Sequence, residues 1–139
     1  MLSTQELNFL SKAIDNNNND GISKLEYQNV DDEKKDIIDK LEISKTKKIN
    51  LIKSLKDYRY VEDLQEIVEG RYLRWLIEKD NDIKLSNGGI LIEVKIEDEI
   101  YLLLKNNRNL IFQIKLQDNV IFQKLTDQEK IILFAKSLI

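Results

Sequence analysis

Cysteine, histidine and proline are all missing from this chain, and glycine occurs only four times in its 139 residues. Without cysteine there is no disulfide and no thiolate nucleophile; without histidine there is no imidazole base. The two absences together remove the usual ligands of zinc. Lack of cysteine does not identify a redox compartment, because it suits any of them. The missing proline, set against frequent isoleucine, lysine and asparagine, reads as drift in an AT-rich genome, so the asparagine runs need caution. No Gly-Lys-Ser/Thr phosphate loop occurs, and no apolar run approaches the roughly 20 residues of a membrane span. Met1-Leu2-Ser3 begins no basic-then-apolar leader, so no signal peptide is read and a cytoplasmic setting, or a particle assembled there, is expected.

What is present suits one soluble domain, or one domain with a helical extension: 42% hydrophobic and 34% charged residues. The net charge of −3 is unevenly spread. Lys45, Lys47, Lys48, Lys53, Lys56 and Arg59 form a basic segment between acidic neighbours. Such a segment suits contact with phosphate, or a solvated helix face paired with the acids before it.

The strongest pattern lies between Ser86 and Leu125, where four runs of period-two hydrophobicity are parted by polar turns. Ile90, Ile92, Val94 and Ile96 share one face of the first run; Ile100, Leu102 and Leu104 mark the second. Leu110, Phe112, Ile114 and Leu116 mark the third, and Val120 with Phe122 the last. Before them, Gly70 to Ile77 reads as a further strand, with Arg71 and Tyr72 alternating with Leu73 and Trp75. Asp80 to Asp82 and Ser86 to Gly89 read as loops. Five strands in this length predict a small, strongly bent antiparallel barrel.

The amino-terminal half is helical in pattern. Ser3-Thr4-Gln5-Glu6 and Thr126-Asp127-Gln128-Glu129 are capping boxes that start a first and a last helix. The first helix ends at Asp15. A long stripe from Ile37 to Leu55 lapses at Ser44-Lys45-Thr46, which predicts two helices with a break. Val61 to Val68 reads as a short helix or buried turn closed by Gly70.

Asp15-Asn16-Asn17-Asn18-Asn19-Asp20-Gly21-Ile22-Ser23-Lys24-Leu25-Glu26 resembles an EF-hand calcium loop. Asp15, Asn17, Asn19 and Glu26 fall on its first, third, fifth and twelfth positions, so the resemblance implies calcium ligated by these four. It departs from the family at the sixth position, where Asp20 stands and Gly21 follows one place late. A register beginning at Asn16 restores the glycine but displaces Ile22 and Glu26. The same residues also make an ordinary helix–turn–helix connection.

Gly70-Arg71-Tyr72-Leu73-Arg74-Trp75, Lys84 to Gly89 and Ile121 to Leu125 are similar to stretches of uncharacterised small proteins of large DNA viruses. That resemblance implies a virion or virus-factory setting and carries over no functional residue. Arg71, Tyr72 and Arg74 are the candidate partner-binding surface, with Lys45 and Lys48 of the basic segment, since arginines and aromatics on a strand stack bases or grip a peptide. The alternative is that Leu73 and Trp75 are core and Arg71 faces solvent.

The expected fold is therefore α+β. Residues 1–60 form helices with an EF-hand-like helix–loop–helix; residues 61–139 form a small five-stranded antiparallel barrel with a closing helix. The expected function is a non-catalytic structural or binding module, a minor component of a larger assembly with a protein partner, in the viral setting that the resemblance implies. Calcium binding and nucleic-acid association are the alternatives.

Overall fold

Seven antiparallel strands appear among the described residues, which in this computed structural model are 1–23, 25 and 27–138. They are β1 (Tyr58–Val61), β2 (Tyr72–Lys79), β3 (Asp82–Leu85), β4 (Gly89–Ile96), β5 (Ile100–Lys105), β6 (Ile111–Lys115) and β7 (Ile121–Lys124). The sheet runs β1-β7-β2-β4-β5-β6, with β3 paired on β2. The α+β class holds, but the closed five-stranded barrel does not. The reason lies in β7. Instead of continuing the meander beside β6, it lies between β1 and β2, with Phe122 opposite both Tyr60 and Arg74. Among the described residues β6 therefore pairs with β5 alone, and the sheet stays open.

Two strands were not expected. β1 falls where a helix or turn was read, and it holds aromatic and β-branched residues that suit a pleated, buried site. Asp80 (φ 54°) and Asn81 (φ 60°) form a tight two-residue turn, so Asp82 returns as β3 rather than loop. In β4 the shared isoleucine face is also corrected. A bulge between Leu91 and Glu93 lets Leu91 oppose Leu104 and Val94 oppose Leu102. Leu91 is thereby buried, and Ile90 and Ile92 face outward.

Five helices accompany the sheet among the described residues: α1 (Thr4–Asp15), α2 (Asp20–Ser23), α3 (Tyr27–Asp39), α4 (Lys45–Ser54) and α5 (Asp127–Ser137). Both capping boxes form, at Ser3–Glu6 and at Thr126–Glu129. The lapse in the apolar stripe is an N-cap: Ser44 Oγ accepts from the Lys47 amide at 3.2 Å. The boundary placed after residue 60 falls inside β1.

Three apolar clusters hold the layers together. One face of the sheet buries Leu73, Trp75, Leu91, Leu102, Leu104 and Ile121, with Trp75 tilted against Phe112 at 5.4 Å between ring centroids. On the other face of β1, β7 and β2, α3 and α4 bring Ile38, Leu51 and Leu55 onto Tyr58 and Phe122. α1 and α5 meet around Ala13, Ile22, Ile132 and Leu133. Lys34 fastens α3 to the sheet: its ammonium donates to the carbonyls of Leu55 and Tyr58, both at 3.0 Å. Burial pushes that amine below the ordinary lysine range, against the pull of Asp31 and Asp57. No described helix is long and apolar enough to cross a membrane.

Candidate functional site

Residues two apart on a strand share a face, and that puts Tyr72 and Arg74 side by side on β2. The loop Ser86–Gly88 runs alongside and fixes both. Arg74 Nε donates to the Ser86 carbonyl at 2.8 Å, and the Tyr72 hydroxyl donates to the Asn87 carbonyl at 2.7 Å. Ser86 is itself pinned, its hydroxyl accepting from the Trp75 amide at 3.0 Å. Gly88 lies so close that a Cβ there would sit 2.3 Å from the Leu73 carbonyl oxygen, at a φ of +83°. Only glycine fits that approach.

The turn after β5 forms the opposite wall. Asn106 Oδ1 accepts from the Arg108 and Leu110 amides at 2.9 and 3.1 Å, while Asn109 takes a positive φ of 61°. Arg108 is thus held out from a rigid turn. Between the walls is an open cleft of about 670 Å³, with Tyr58 at its floor. The Arg74 guanidinium lies 6.0 Å from the Tyr58 ring centroid. Burial raises the Tyr58 hydroxyl above the ordinary tyrosine range, opposed by the Arg74 charge. Among the described residues, no carboxylate lines the cleft and neither Arg74 nor Arg108 has an ion-pair partner. Its chemistry is that of two cations and several amides facing an open space.

The other candidate residues are elsewhere. Arg71 turns away from Tyr72 and Arg74, and its Nη1 lies 2.5 Å from Glu129 at the start of α5, where both side chains are largely buried. Lys45 is exposed on the first turn of α4, and Lys48 donates to the Asp39 carbonyl at 2.7 Å. Neither lines the cleft. The basic segment is partly spent within the chain, since Lys47 pairs with Asp82 and Arg59 with Glu66.

Between Asp15 and Ser23 the backbone is helical except at Asn16, which is extended. Asp15 ends α1, residues 17–19 make a single 3-10 turn, and α2 follows. Asp15 and Asn17 are exposed. Asn19 is buried, and its amide nitrogen donates to the Ala13 carbonyl at 2.9 Å and to Gln128 at 3.0 Å. Glu26 lies outside the described residues. No group of three or more acidic side chains is placed to hold a metal ion among the described residues.

A smaller cavity of about 420 Å³ is lined by Arg59, Glu66, Gln123 and Glu129. Gln123 ties the segment after β1 to the sheet, accepting from the Val68 amide and donating to the Glu66 carbonyl. Burial raises the Glu66 carboxyl above the ordinary range, with Arg59 opposing.

Sequence reasoning reached Tyr72 and Arg74 but missed Tyr58 and Arg108. Arg108 stood in a turn with no local sign of chemistry, and Tyr58 in a strand that was not read as one. Comparison with protein-family models, with curated proteins and with solved structures finds no match.

Proposed function

We propose that this chain is a non-catalytic binding module, a minor component of a larger assembly in the cytoplasm or within a virion. In this reading it grips an acidic segment of a protein partner in the Arg74–Arg108 cleft. One observation carries the reading: two guanidiniums, free of any acid among the described residues, face the same open cleft. Arginine forks match carboxylates in shape and charge, and the surrounding asparagines add donors for a peptide backbone. With no carboxylate among the described residues of its lining, the cleft sets no like charge against an acidic ligand. A nucleic-acid platform stacks bases on open aromatic faces, whereas Arg74 lies over the Tyr58 ring.

The test is fluorescence anisotropy with a labelled Asp/Glu-rich peptide and a labelled single-stranded oligonucleotide. The peptide should bind, and each of Arg74→Gln and Arg108→Gln should weaken it about tenfold, or about 1.4 kcal/mol. Lys45→Gln with Lys48→Gln should change little. No peptide binding at low salt, or preferential binding of the oligonucleotide, sinks the reading.

Calcium binding at Asp15, Asn17, Asn19 and Glu26 is the alternative proposal. There the Asn19 amide oxygen would take the ion, while its amide nitrogen donates to Ala13 and Gln128. Calorimetric heat on adding calcium, lost in Glu26→Gln, would favour it over the cleft.

A further inference from the structure

β6 lies at one end of the strand order, and β5 is its one ladder partner among the described residues. Its even-numbered residues turn their backbone groups toward β5: the Leu110 carbonyl accepts from Asn106 at 3.0 Å, and the Leu116 amide donates to Ile100 at 2.9 Å. By antiparallel alternation the N–H and C=O groups of Ile111, Gln113 and Lys115 face away from the sheet. The Lys115 carbonyl accepts from Asn119 at 2.7 Å and keeps a second lone pair. Leu110, Ile111 and Gln113 are exposed along this edge, Leu110 to 59% and Ile111 to 61%.

Natural sheets ordinarily protect such an edge with lysine, proline or a bulge. β6 has no proline and no bulge in its pairing with β5. The one lysine on it, Lys115, is drawn back onto Glu99 of its own chain at 2.9 Å. The edge is open.

We propose that β6 is the interface of a two-fold dimer, in which the β6 strands of two copies pair antiparallel about Gln113. Three features of this chain select a second copy as the occupant. First, centring on Gln113 sets Gln113 against itself and Ile111 against Lys115 of the second copy. All of these are residues whose backbone groups face outward, so the ladder continues without a parity conflict. Second, the same register sets the turn that carries Arg108 beside the turn that carries Asp118 of the second copy, and the symmetry makes that contact twice. Arg108 has no acid partner in its own chain among the described residues, and the exposed Asp118 has only a 4.0 Å contact with Lys115. Third, the exposed Leu110 is brought beside the end of the second copy's β6, where its apolar surface is covered. A register centred on Ile111 or on Lys115 keeps the parity but loses the Arg108–Asp118 pairs. The dimer stands independently of the cleft reading, although Arg108 belongs to both.

Sedimentation velocity on the full chain, from low to high micromolar concentration, tests this. The wild type should dimerise with concentration. Asp118→Arg and Arg108→Asp should each weaken the dimer about tenfold or more, and the two changes combined should restore it, because the exchanged charges meet again across the two-fold. Gln113→Pro removes an outward N–H without touching the β5 ladder; it should give monomer with an unchanged far-UV spectrum. Arg74→Gln should leave the dimer intact, and Asp118→Arg should still bind acidic peptide, which separates failure here from failure of the cleft. A wild type that stays monomeric at the highest concentration overturns the proposal. So does a dimer indifferent to Asp118→Arg and Gln113→Pro, or a double exchange that fails to recover.

Discussion

Removing the charge of Glu129 should destabilise the protein more than most single substitutions, through a group that the sequence marked only as part of a capping box. Glu129 does two jobs. Its Oε1 accepts from the Thr126 amide at 2.9 Å, completing the cap of α5, and it also meets Arg71 Nη1 at 2.5 Å. The side chains are only 5% and 14% exposed. In Glu129→Gln the amide oxygen still caps the helix, so the cap survives and the loss reports the charge. An uncompensated buried cation costs about 3–5 kcal/mol when its partner is removed. The amide still accepts one hydrogen bond from Arg71, so the expected loss is at the low end, about 3 kcal/mol. For a chain of this length that corresponds to a melting temperature lowered by about 6–12 °C. Arg71→Met combined with Glu129→Gln should recover much of the loss, since no orphaned charge then remains. Urea unfolding followed by far-UV circular dichroism, with an unchanged slope, measures all three variants. A loss under about 1 kcal/mol for Glu129→Gln, or a double variant at the sum of the singles, would refute the buried-pair reasoning.

The other expectations rest on single contacts. Gly88→Ala should cost at least about 1–3 kcal/mol from the positive φ alone, with the clash against the Leu73 carbonyl added; thermal melting checks it, and a variant as stable as wild type would contradict the geometry. Lys34 has its amine lowered by burial, so between that value and the ordinary 10.5 the unfolded chain holds more protons than the folded one. Stability should therefore rise with pH across that window, and the rise should vanish in Lys34→Met; urea midpoints at a series of alkaline pH values decide, and an identical slope in the two proteins rules it out. Gln123→Leu should loosen the segment after β1, because the Val68 amide and Glu66 carbonyl lose their partner. A loss of about 1–3 kcal/mol is expected, read by urea unfolding and by faster hydrogen exchange at Val68; unchanged exchange there would deny Gln123 that role.

How far the site was legible follows from the range of each signal. Tyr72 and Arg74 were found because they are two residues apart, and period two is written within one strand. Arg71 was grouped with them by adjacency, but its side chain turns toward α5, whose approach no local pattern encodes. Arg108 lies more than thirty residues from Arg74, and only the hairpin between β5 and β6 carries it to the same cleft.

Taken alone, the sequence determined what depends on near neighbours. The capping boxes at Ser3 and Thr126, the helix break at Ser44, and the inward faces of β5 and β6 all follow from contacts spanning a few residues. Tertiary structure decided the rest. It drew β7 between β1 and β2, turned Leu91 rather than Ile90 inward through the β4 bulge, and buried Asn19 against Gln128. The physical reason is that a strand's pattern specifies which face is apolar but not which strand will lie beside it. That choice is made by burial summed over the whole chain, and here, among the described residues, it left β6 beside β5 alone.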